Sequence, residues 1–379
     1  MRDAVIVEAV RTPVGKRNGG LAGVHPADLS AHVLTSLVER AGLDPALVDD
    51  VIWGCVSQVG EQTFDIARTA VLAAGWPESV PGVTVDRQCG SSQQSVHFGA
   101  AGLIAGQYDI VVAGGVESMS RVPMGAAVGD ADPFGAGFAA RYGGFPNQGI
   151  GAEMIAEQWG FSRSQLDEYS VASHERAAAA RAEGRFDAQI APVTTDAGVV
   201  ALDEGIREST VEKLGTLTTV FKPEGGVVTA GNSSQISDGS AALLMMTSEK
   251  AAELGLHPIA RVHTAVLAGA DPVIMLTAPI PATQKALKKS GLSIDEIGAF
   301  EVNEAFAPVP LAWLAELGAD AKALNPNGGA IALGHPLGGS GARLMTTLVH
   351  HMRDNGIRYG LQTMCEGGGQ ANATILELL

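Results

Sequence analysis

The sequence predicts an α/β fold, a parallel or mixed sheet with crossover helices, and three observations lead there. Short β-branched runs alternate with longer stretches of helical periodicity in both halves of the chain. Hydrophobic residues make up 46% of 379 positions against 17% charged, enough for a large buried interior. That length suits two domains or one duplicated core. Glycine is abundant at 48 residues and aromatics scarce at 5%, which favours close backbone packing over an aromatic ligand platform.

Taken in order, Ala4–Val7 reads as a strand, Pro26–Arg40 as a helix, Val51–Val56 as a strand and Asp65–Ala74 as a helix. Gly82–Val85 alternates like a strand. Gln93–Gly106 carries Val96, Ala100, Leu103 and Ile104 at helical intervals, and the strand Asp109–Ala113 is closed by Gly114-Gly115. From Ser118 to Asn147 the pattern breaks into Gly-, Pro- and Met-rich sequence with Pro123, Pro133 and Pro146, a long loop of the kind that usually carries function. Met119 and Met124 within it read as packing residues. Gly151–Trp159 and Ser164–Glu183 are helical; Val200–Gly231 is irregular. From about Arg261 the alternation resumes, with helices at Ala282–Lys289, Phe306–Leu317 and Gly341–Arg353 and strands at Ala299–Val302, Gly360–Met364 and Thr374–Leu378. The two halves share this rhythm, although no repeat is visible as residue identity.

Composition excludes several functions. A formal net charge of −16 argues against a nucleic-acid or anionic-membrane surface while allowing a local basic site for a phosphorylated ligand. No uncharged apolar run reaches membrane-spanning length, and the first apolar stretch ends at Glu8, too short for a signal-peptide core. Cys55, Cys89 and Cys365 are an odd, sparse set that suits a reducing cytoplasm, and no Cys or His pairing has zinc-site spacing, so no metal is expected. His350-His351 read as straddling the surface of a late helix.

The chemistry concentrates at Cys89. It lies at a turn between the Gly82–Val85 strand and a helix, with Ser91 or Ser92 placed to cap that helix. A thiol at a helix N-terminus feels the positive end of the dipole, which favours thiolate and makes Cys89 a candidate nucleophile. An isolated cysteine is more often core, as Cys55 in its apolar strand is expected to be. Three further segments favour chemistry: Glu301-Val302-Asn303-Glu304-Ala305-Phe306; the glycine-rich Asn325–Gly341 with His335 and Ser340; and Cys365-Glu366-Gly367-Gly368-Gly369. Together they fit one reaction. A thiolate attacks a carbonyl, an imidazole accepts the thiol proton, N–H groups hold the oxyanion, and a second cysteine moves a proton. Glycines let backbone amides approach the reacting thioester.

These four ordered motifs resemble those of the thiolases, acetyl-CoA C-acyltransferases, and the similarity runs over essentially all 379 residues. The resemblance implies a duplicated α/β fold: two mixed five-stranded sheets in a layered αβαβα arrangement with an inserted loop domain. Residues 1–117 with 236–255 would form the N-terminal half, 118–235 the coenzyme-A-binding loop domain, and 256–379 the C-terminal half. Cys89 would carry the acyl group as a thioester. His335 would activate it and, with a water held by Asn303, form one oxyanion hole. Cys365 would be the second acid/base, and Gly367 and Gly368 with the Cys89 N–H would form the other hole. Arg207 would lie near the nucleotide end of coenzyme A, and Ser234, in Ala230–Ser234, would bond the pantetheine beside Ala230. Phe221 and Phe306 would flank that arm.

The resemblance also implies CoA and 3-ketoacyl-CoA as substrates, no permanently bound cofactor, and a homo-oligomer, dimer or tetramer. Short-chain relatives commonly carry His-Met where this chain has Asn147-Gln148, and Gly-Ser-Gly where it has Gly90-Ser91-Ser92. The expected activity is therefore degradative, thiolysis of 3-oxoacyl-CoA to acyl-CoA plus acetyl-CoA in fatty-acid or steroid-type β-oxidation. The alternatives are condensation of two acetyl-CoA, or a silent acyl-CoA- or lipid-binding protein on the same fold; retention of Cys89, Asn303, His335 and Cys365 together counts against the latter.

Overall fold

The computed structural model describes residues 2–144 and 147–379, so Pro146 of the expected loop lies outside the described residues. The first stretch forms β1 (Val5–Arg11), β2 (Gly15–Lys16), α1 (Pro26–Ala41), β3 (Asp50–Gly54), α2 (Ile66–Ala73), β4 (Gly82–Val85), α3 (Ser91–Ala105) and β5 (Ile110–Ser118). A middle segment follows with α4 (Gly135–Tyr142), α5 (Gln148–Trp159), α6 (Arg163–Ala182), the hairpin β6 (Val193–Thr195) and β7 (Gly198–Val200), and α7 (Val211–Gly215). The chain then forms β8 (Ser237–Met246), α8 (Ser248–Glu253), β9 (Ala260–Gly269), α9 (Pro279–Ser290) and β10 (Ala299–Val302). It closes with α10 (Pro308–Leu317), α11 (Ala330–Leu333), α12 (Leu337–Asn355), β11 (Tyr359–Glu366) and β12 (Gln370–Leu378).

The strands order β10-β11-β12-β9-β1-β8-β5-β3-β4, and the duplication invisible as identity is plain in their directions. In the first half β3 runs parallel to β4 and β5, and β8 is antiparallel to β5 and β1. In the second, β10 runs parallel to β11, and β12 is antiparallel to β11 and β9. A parallel bridge from Phe300 to Leu324 stands where the second half's fifth strand belongs. The halves join through the short pairing of Val5 and Ile6 with Arg261 and Ala260.

Three apolar clusters set the layers. One packs α1 and α2 on the outer face of the first half, another packs α9 and α10 on the outer face of the second, and the third buries α3 and α12 between the halves. The central helices approach so closely that a Cβ on Gly341 would sit 2.3 Å from the Gln93 backbone N. β8 has no alternation to find because both its faces are buried.

Three local expectations are corrected. His350 does not lie on the surface: it is buried, with Nε2 3.0 Å from the Ala9 carbonyl, and only His351 is partly exposed. The expected loop after Ser118 carries α4, which buries none of its residues. Met119 packs as expected, but Met124 is 62% exposed.

Candidate active site

Cys89 sits in the turn from β4 to α3, where Gln88 takes φ +47 and Cys89 is buried. Neither serine caps α3. Gly90 occupies the cap position; Ser91 Oγ accepts from Arg87 N at 2.9 Å and donates to Gln88 O at 2.6 Å, and Ser92 Oγ accepts from Ala342 N at 2.9 Å. The serines tie the turn and fasten α12 to it. The expected thiolate is also overturned. Burial raises the Cys89 thiol well above its ordinary value, and the Cys365, Glu366 and Glu117 groups raise it further, against the lowering effect of its own backbone N–H. Desolvation outweighs the helix end. The resting group is a thiol that needs a base.

Cys365, near the end of β11, is buried too. Burial pushes it up to about 12, its own N–H opposes this, and neighbouring Glu366 adds to the rise. Cys89 packs in one apolar cluster with Met119, Leu337, Met364 and Val56, which brings β11 and the start of α12 against the nucleophile turn. Glu117 secures those walls: its carboxylate accepts from Val56 N at 3.0 Å, Ser57 N at 3.1 Å, Gln62 Nε2 at 2.7 Å and Gly338 N at 2.8 Å.

His335 lies between α11 and α12, buried, with Nδ1 2.6 Å from Ser340 Oγ. Ser340 gives its hydroxyl proton to Pro336 O at 2.8 Å, so the Ser340 oxygen accepts and His335 carries its proton on Nδ1. Nε2 is left unprotonated and accepts a long hydrogen bond from Asn303 Nδ2 at 3.4 Å. Burial, then the Arg343 charge, lowers His335 to about 3, so it is neutral at working pH. Asn303 Oδ1 is buried without a partner among the described residues, the state expected of a group that holds a water. Gly367 faces Gln88, and Gly368 turns at φ +85. Cys365 lies close enough to Cys89 to act on its charge, Leu337, two residues after His335, packs against Cys89, and Asn303, beside His335, donates its N–H to Thr363 O of β11 at 3.1 Å, so the four come from neighbouring segments.

The remaining residues fall into two groups, one packed against Cys365 and one around Arg207. Phe306 packs with Cys365, Met275 and partly buried Phe221 in one cluster, the two phenyl rings edge to face with centroids 5.9 Å apart. Half-buried Ser234 donates its N–H to Ala305 O at 2.9 Å. Ala230 lines a cavity of about 240 Å³ with Arg207, Lys213 and Leu217. Arg207 also lines an adjoining cavity of about 730 Å³ with Arg181 and Lys213, three cations set against the carboxyls of Glu175 and Glu208, and with His174, which burial and the Arg207 charge lower to about 4. Sequence reasoning named Arg207 but missed Ser340's role, Glu117, and the Arg181 and Lys213 cations beside Arg207, which come from α6 and the 206–213 segment and share no motif. Asn147, the marker of departure from short-chain relatives, caps α5 by accepting from Gly149 N at 2.9 Å.

A duplicated αβαβα fold with two buried thiols and an unprotonated imidazole nitrogen between its halves defines an acyl-transfer enzyme of the two-cysteine type. The thiolase N-terminal domain matches residues 4–249 and the thiolase C-terminal domain residues 256–378. The chain is 52% identical to the steroid 3-ketoacyl-CoA thiolase FadA6 of Mycobacterium tuberculosis, covering all of this chain and 95% of that one. It is 47% identical to the 3-ketoacyl-CoA thiolases of Pseudoalteromonas translucida and Aeromonas salmonicida, covering all of this chain and 99% and 100% of theirs. The chain belongs to the thiolase family. Among the described residues, no helix is long and apolar enough to cross a membrane and no cluster of three His, Cys, Asp or Glu is set to hold a metal.

Proposed function

We propose that the protein cleaves 3-oxoacyl-CoA with CoA, giving acyl-CoA plus acetyl-CoA, through an acyl thioester on Cys89. The observation that carries the reading is the hydrogen-bond pattern at His335: Ser340 Oγ donates to Pro336 O, which leaves it to accept from Nδ1 and leaves Nε2 as the base in a site with two thiols raised by burial. His335 Nε2 takes the Cys89 proton as sulfur attacks the 3-keto carbon. The protonated Nε2, with a water held by Asn303, then stabilises the oxyanion. The carbon–carbon bond breaks, and Cys365 gives its proton to the acetyl-CoA enolate. In the second half Cys365 takes the proton of incoming CoA, whose sulfur attacks the thioester while the N–H groups of Cys89, Gly367 and Gly368 hold the new oxyanion; the adduct collapses by breaking the Cys89 sulfur–carbon bond, acyl-CoA leaves, and the Cys89 thiolate takes back the proton held on His335 Nε2. The same residues run the condensation of two acetyl-CoA in reverse. The 3-ketoacyl-CoA names of the relatives favour the degradative direction, and the steroid name of one favours bulky acyl groups.

Residues 118–235 serve as the coenzyme A domain between halves 1–117 with 236–255 and 256–379. Its support is the cations around Arg207, the cavity that Arg207 shares with Ala230, Ser234 held to Ala305, and the Phe221–Phe306 pair packed with Cys365. The protein works in the cytoplasm as a homo-oligomer. β4 is a sheet-edge strand, and beside it Val83, Phe98 and Ile104 are 44%, 47% and 50% exposed, an apolar edge that a second copy covers. Brief exposure to acetyl-CoA followed by intact mass analysis tests the nucleophile: one acetyl adduct is expected, absent in Cys89→Ala. An adduct of equal yield in that variant defeats the assignment.

A further inference from the structure

Glu366 takes no part in the reaction derived above, yet it stands directly behind the nucleophile. It is the last residue of β11, next to Cys365, and it is fully buried. Its carboxyl lies against Gly90: a Cβ built there would sit 2.0 Å from Glu366 Oε1 and 2.7 Å from Asn372 Nδ2. Only glycine leaves room for these groups beside the residue after Cys89. Asn372 Nδ2 anchors the same place by donating to Gly90 O at 3.0 Å.

The polar atoms around this point are not satisfied. Both Glu366 carboxyl oxygens, Asn372 Oδ1 and Arg87 Nε are buried with no hydrogen-bond partner among the described residues. Arg87 turns Nη1 to Gln370 Oε1 at 2.9 Å, so its guanidinium is near but engaged elsewhere. Glu117 contrasts with this, its carboxylate fixed by four donors. The backbone N–H of Asn372 is the one donor that bears on the Glu366 carboxyl, too loosely placed to fix it, and a buried carboxyl held so lightly can change its charge with little rearrangement.

We propose that Glu366 is a positioning residue of the two-thiol site: it backs the Cys89–Gly90 turn, and its charge sets how readily Cys89 and Cys365 give up their protons. The groups facing it are Arg87, Asp86 and Cys89 at the nucleophile turn, Cys365 on its own strand, and the uncharged Gln370 and Asn372 of β12. Burial pushes Glu366 up to about 8, with Arg87 and the Asn372 N–H opposing and Asp86 adding, so the neutral acid prevails around pH 7. Losing that proton lays a negative charge beside two sulfurs that must themselves become negative. Glu366 thereby restrains both thiols on the alkaline side.

The proposal rests on Cys89 being the nucleophile, and its test separates the two. The rate of Cys89 alkylation by iodoacetamide and kcat/KM for acetoacetyl-CoA are measured from pH 6 to 10 in the wild type, Glu366→Gln and Glu366→Asp. Below pH 7 the Gln variant is expected to alkylate within about twofold of wild type, since both are neutral there. Above pH 8 it should react on the order of 3- to 10-fold faster, the scale of removing one nearby charge in a screened interior. The Asp variant should keep the wild-type profile shape at reduced kcat. Parallel Gln and wild-type profiles, offset by one constant factor, reduce Glu366 to packing and overturn the proposal. If the Gln variant does not fold, infrared spectra of the wild type labelled with ¹³C-carboxyl glutamate decide the matter. Because Glu301 is raised to about 8 as well, the band is compared with identically labelled Glu366→Asp: a protonated carboxyl band at pH 6.5 that fades by pH 9.5 and is missing from the Asp variant supports it, and spectra that do not differ between the two overturn it. Failure to find any acetyl adduct on wild-type Cys89 is a different result, which defeats the nucleophile assignment itself.

Discussion

His335 Nδ1 lies 2.6 Å from Ser340 Oγ, five residues on and one turn into α12, and that contact decides which nitrogen of the imidazole can act as a base. Because Ser340 directs its proton to Pro336 O, the ring can only donate to it. A hydroxyl in the first turn of a helix thus sets the reactivity of a histidine that precedes the helix.

Ser340→Ala should therefore slow acylation of Cys89 without abolishing it. Losing one buried hydrogen bond costs about 1 kcal/mol, and releasing the second tautomer adds to that, so kcat should fall roughly 5- to 20-fold. KM for CoA should hold, since the cations around Arg207 are untouched. Steady-state kinetics against acetoacetyl-CoA check this; an unchanged kcat removes Ser340 from the mechanism.

Cys365→Ala should still form the Cys89 acetyl adduct but lose thiolysis by about 10²-fold or more, the scale of a lost acid/base. The buried, protonated state of Cys365 motivates this, because a group with a raised pKa holds its proton until an enolate demands it. Mass analysis and turnover on the same preparation separate the two steps. Near-normal turnover removes its role.

Stability should peak near pH 6.5. His97 and His335 are lowered to about 3 and His174 and His350 to about 4, each mainly by burial. Between those values and about 6.5 the unfolded chain binds more protons on these histidines than the folded one, so their contribution is lost as pH falls. Glu301 and Glu366 are raised to about 8, mainly by burial. Between about 4.5 and 8 the folded chain binds more protons on these two, so their contribution is lost as pH rises. Among the histidines and carboxyls moved furthest, four histidines outnumber two acids below 6.5, where His351, lowered, and Glu8, Asp86, Glu117 and Asp238, raised, also act by smaller shifts; above 6.5 only raised acids remain. Thermal unfolding scanned from pH 4.5 to 9 should show Tm falling on both sides; a steady climb to pH 9 contradicts the assignment of these groups.

What the sequence made legible follows from where signals were local. The Cys89, Asn303, His335 and Cys365 motifs could be read because each packs its chemistry into a few consecutive residues at the end of one element. The β–helix alternation gave both halves, since β-branched runs and helical spacing are themselves local. β8 escaped because a strand buried on both faces, Ser237–Met246, loses its period of two. The Cys89 charge state was misjudged because helix position is visible in sequence, whereas the desolvation that outweighs it comes from Met119, Leu337 and Met364 arriving from three other segments. His350 was misplaced for the same reason: only tertiary packing brings Ala9 to it.

In solution the protein should be larger than its 38.8 kDa chain. Val83→Lys with Phe98→Glu places charges on the exposed β4–α3 face, where a groove of about 430 Å³ is lined by Ile52, Val85, Ala101 and Tyr108 besides these two. Sedimentation should show a dimer or tetramer for wild type and a shift towards monomer for the double variant. A wild-type monomer at micromolar concentration overturns the oligomer reading.

The acyl site should accept chains longer than acetoacetyl. Asn147 caps α5 by accepting from Gly149 N, and Gln148 stands where the resemblance places a space-filling methionine in short-chain relatives. The thiol is walled instead by Met119 and Met364, with Leu337 and Val56. Unbranched methionines repack around ligands of different shape, which suits a wall that admits varied chains. Met119 begins the 119–144 segment, so a chain extending from Cys89 past it meets a Gly- and Ala-rich loop with ample exposed surface. Each methylene is worth only about 1–3 kcal/mol in an apolar pocket, so preference should be graded. A kcat/KM series from four-carbon to long or ring-bearing 3-ketoacyl-CoAs tests this. Wild type should favour substrates beyond four carbons, and Met119→Ala should move the optimum to longer or bulkier chains while acetylation of Cys89 stays within a few fold. A sharp peak at acetoacetyl-CoA with loss at every longer chain rules out the long-chain reading. A Met119→Ala profile that superimposes on wild type shows that the chain leaves Cys89 by another wall.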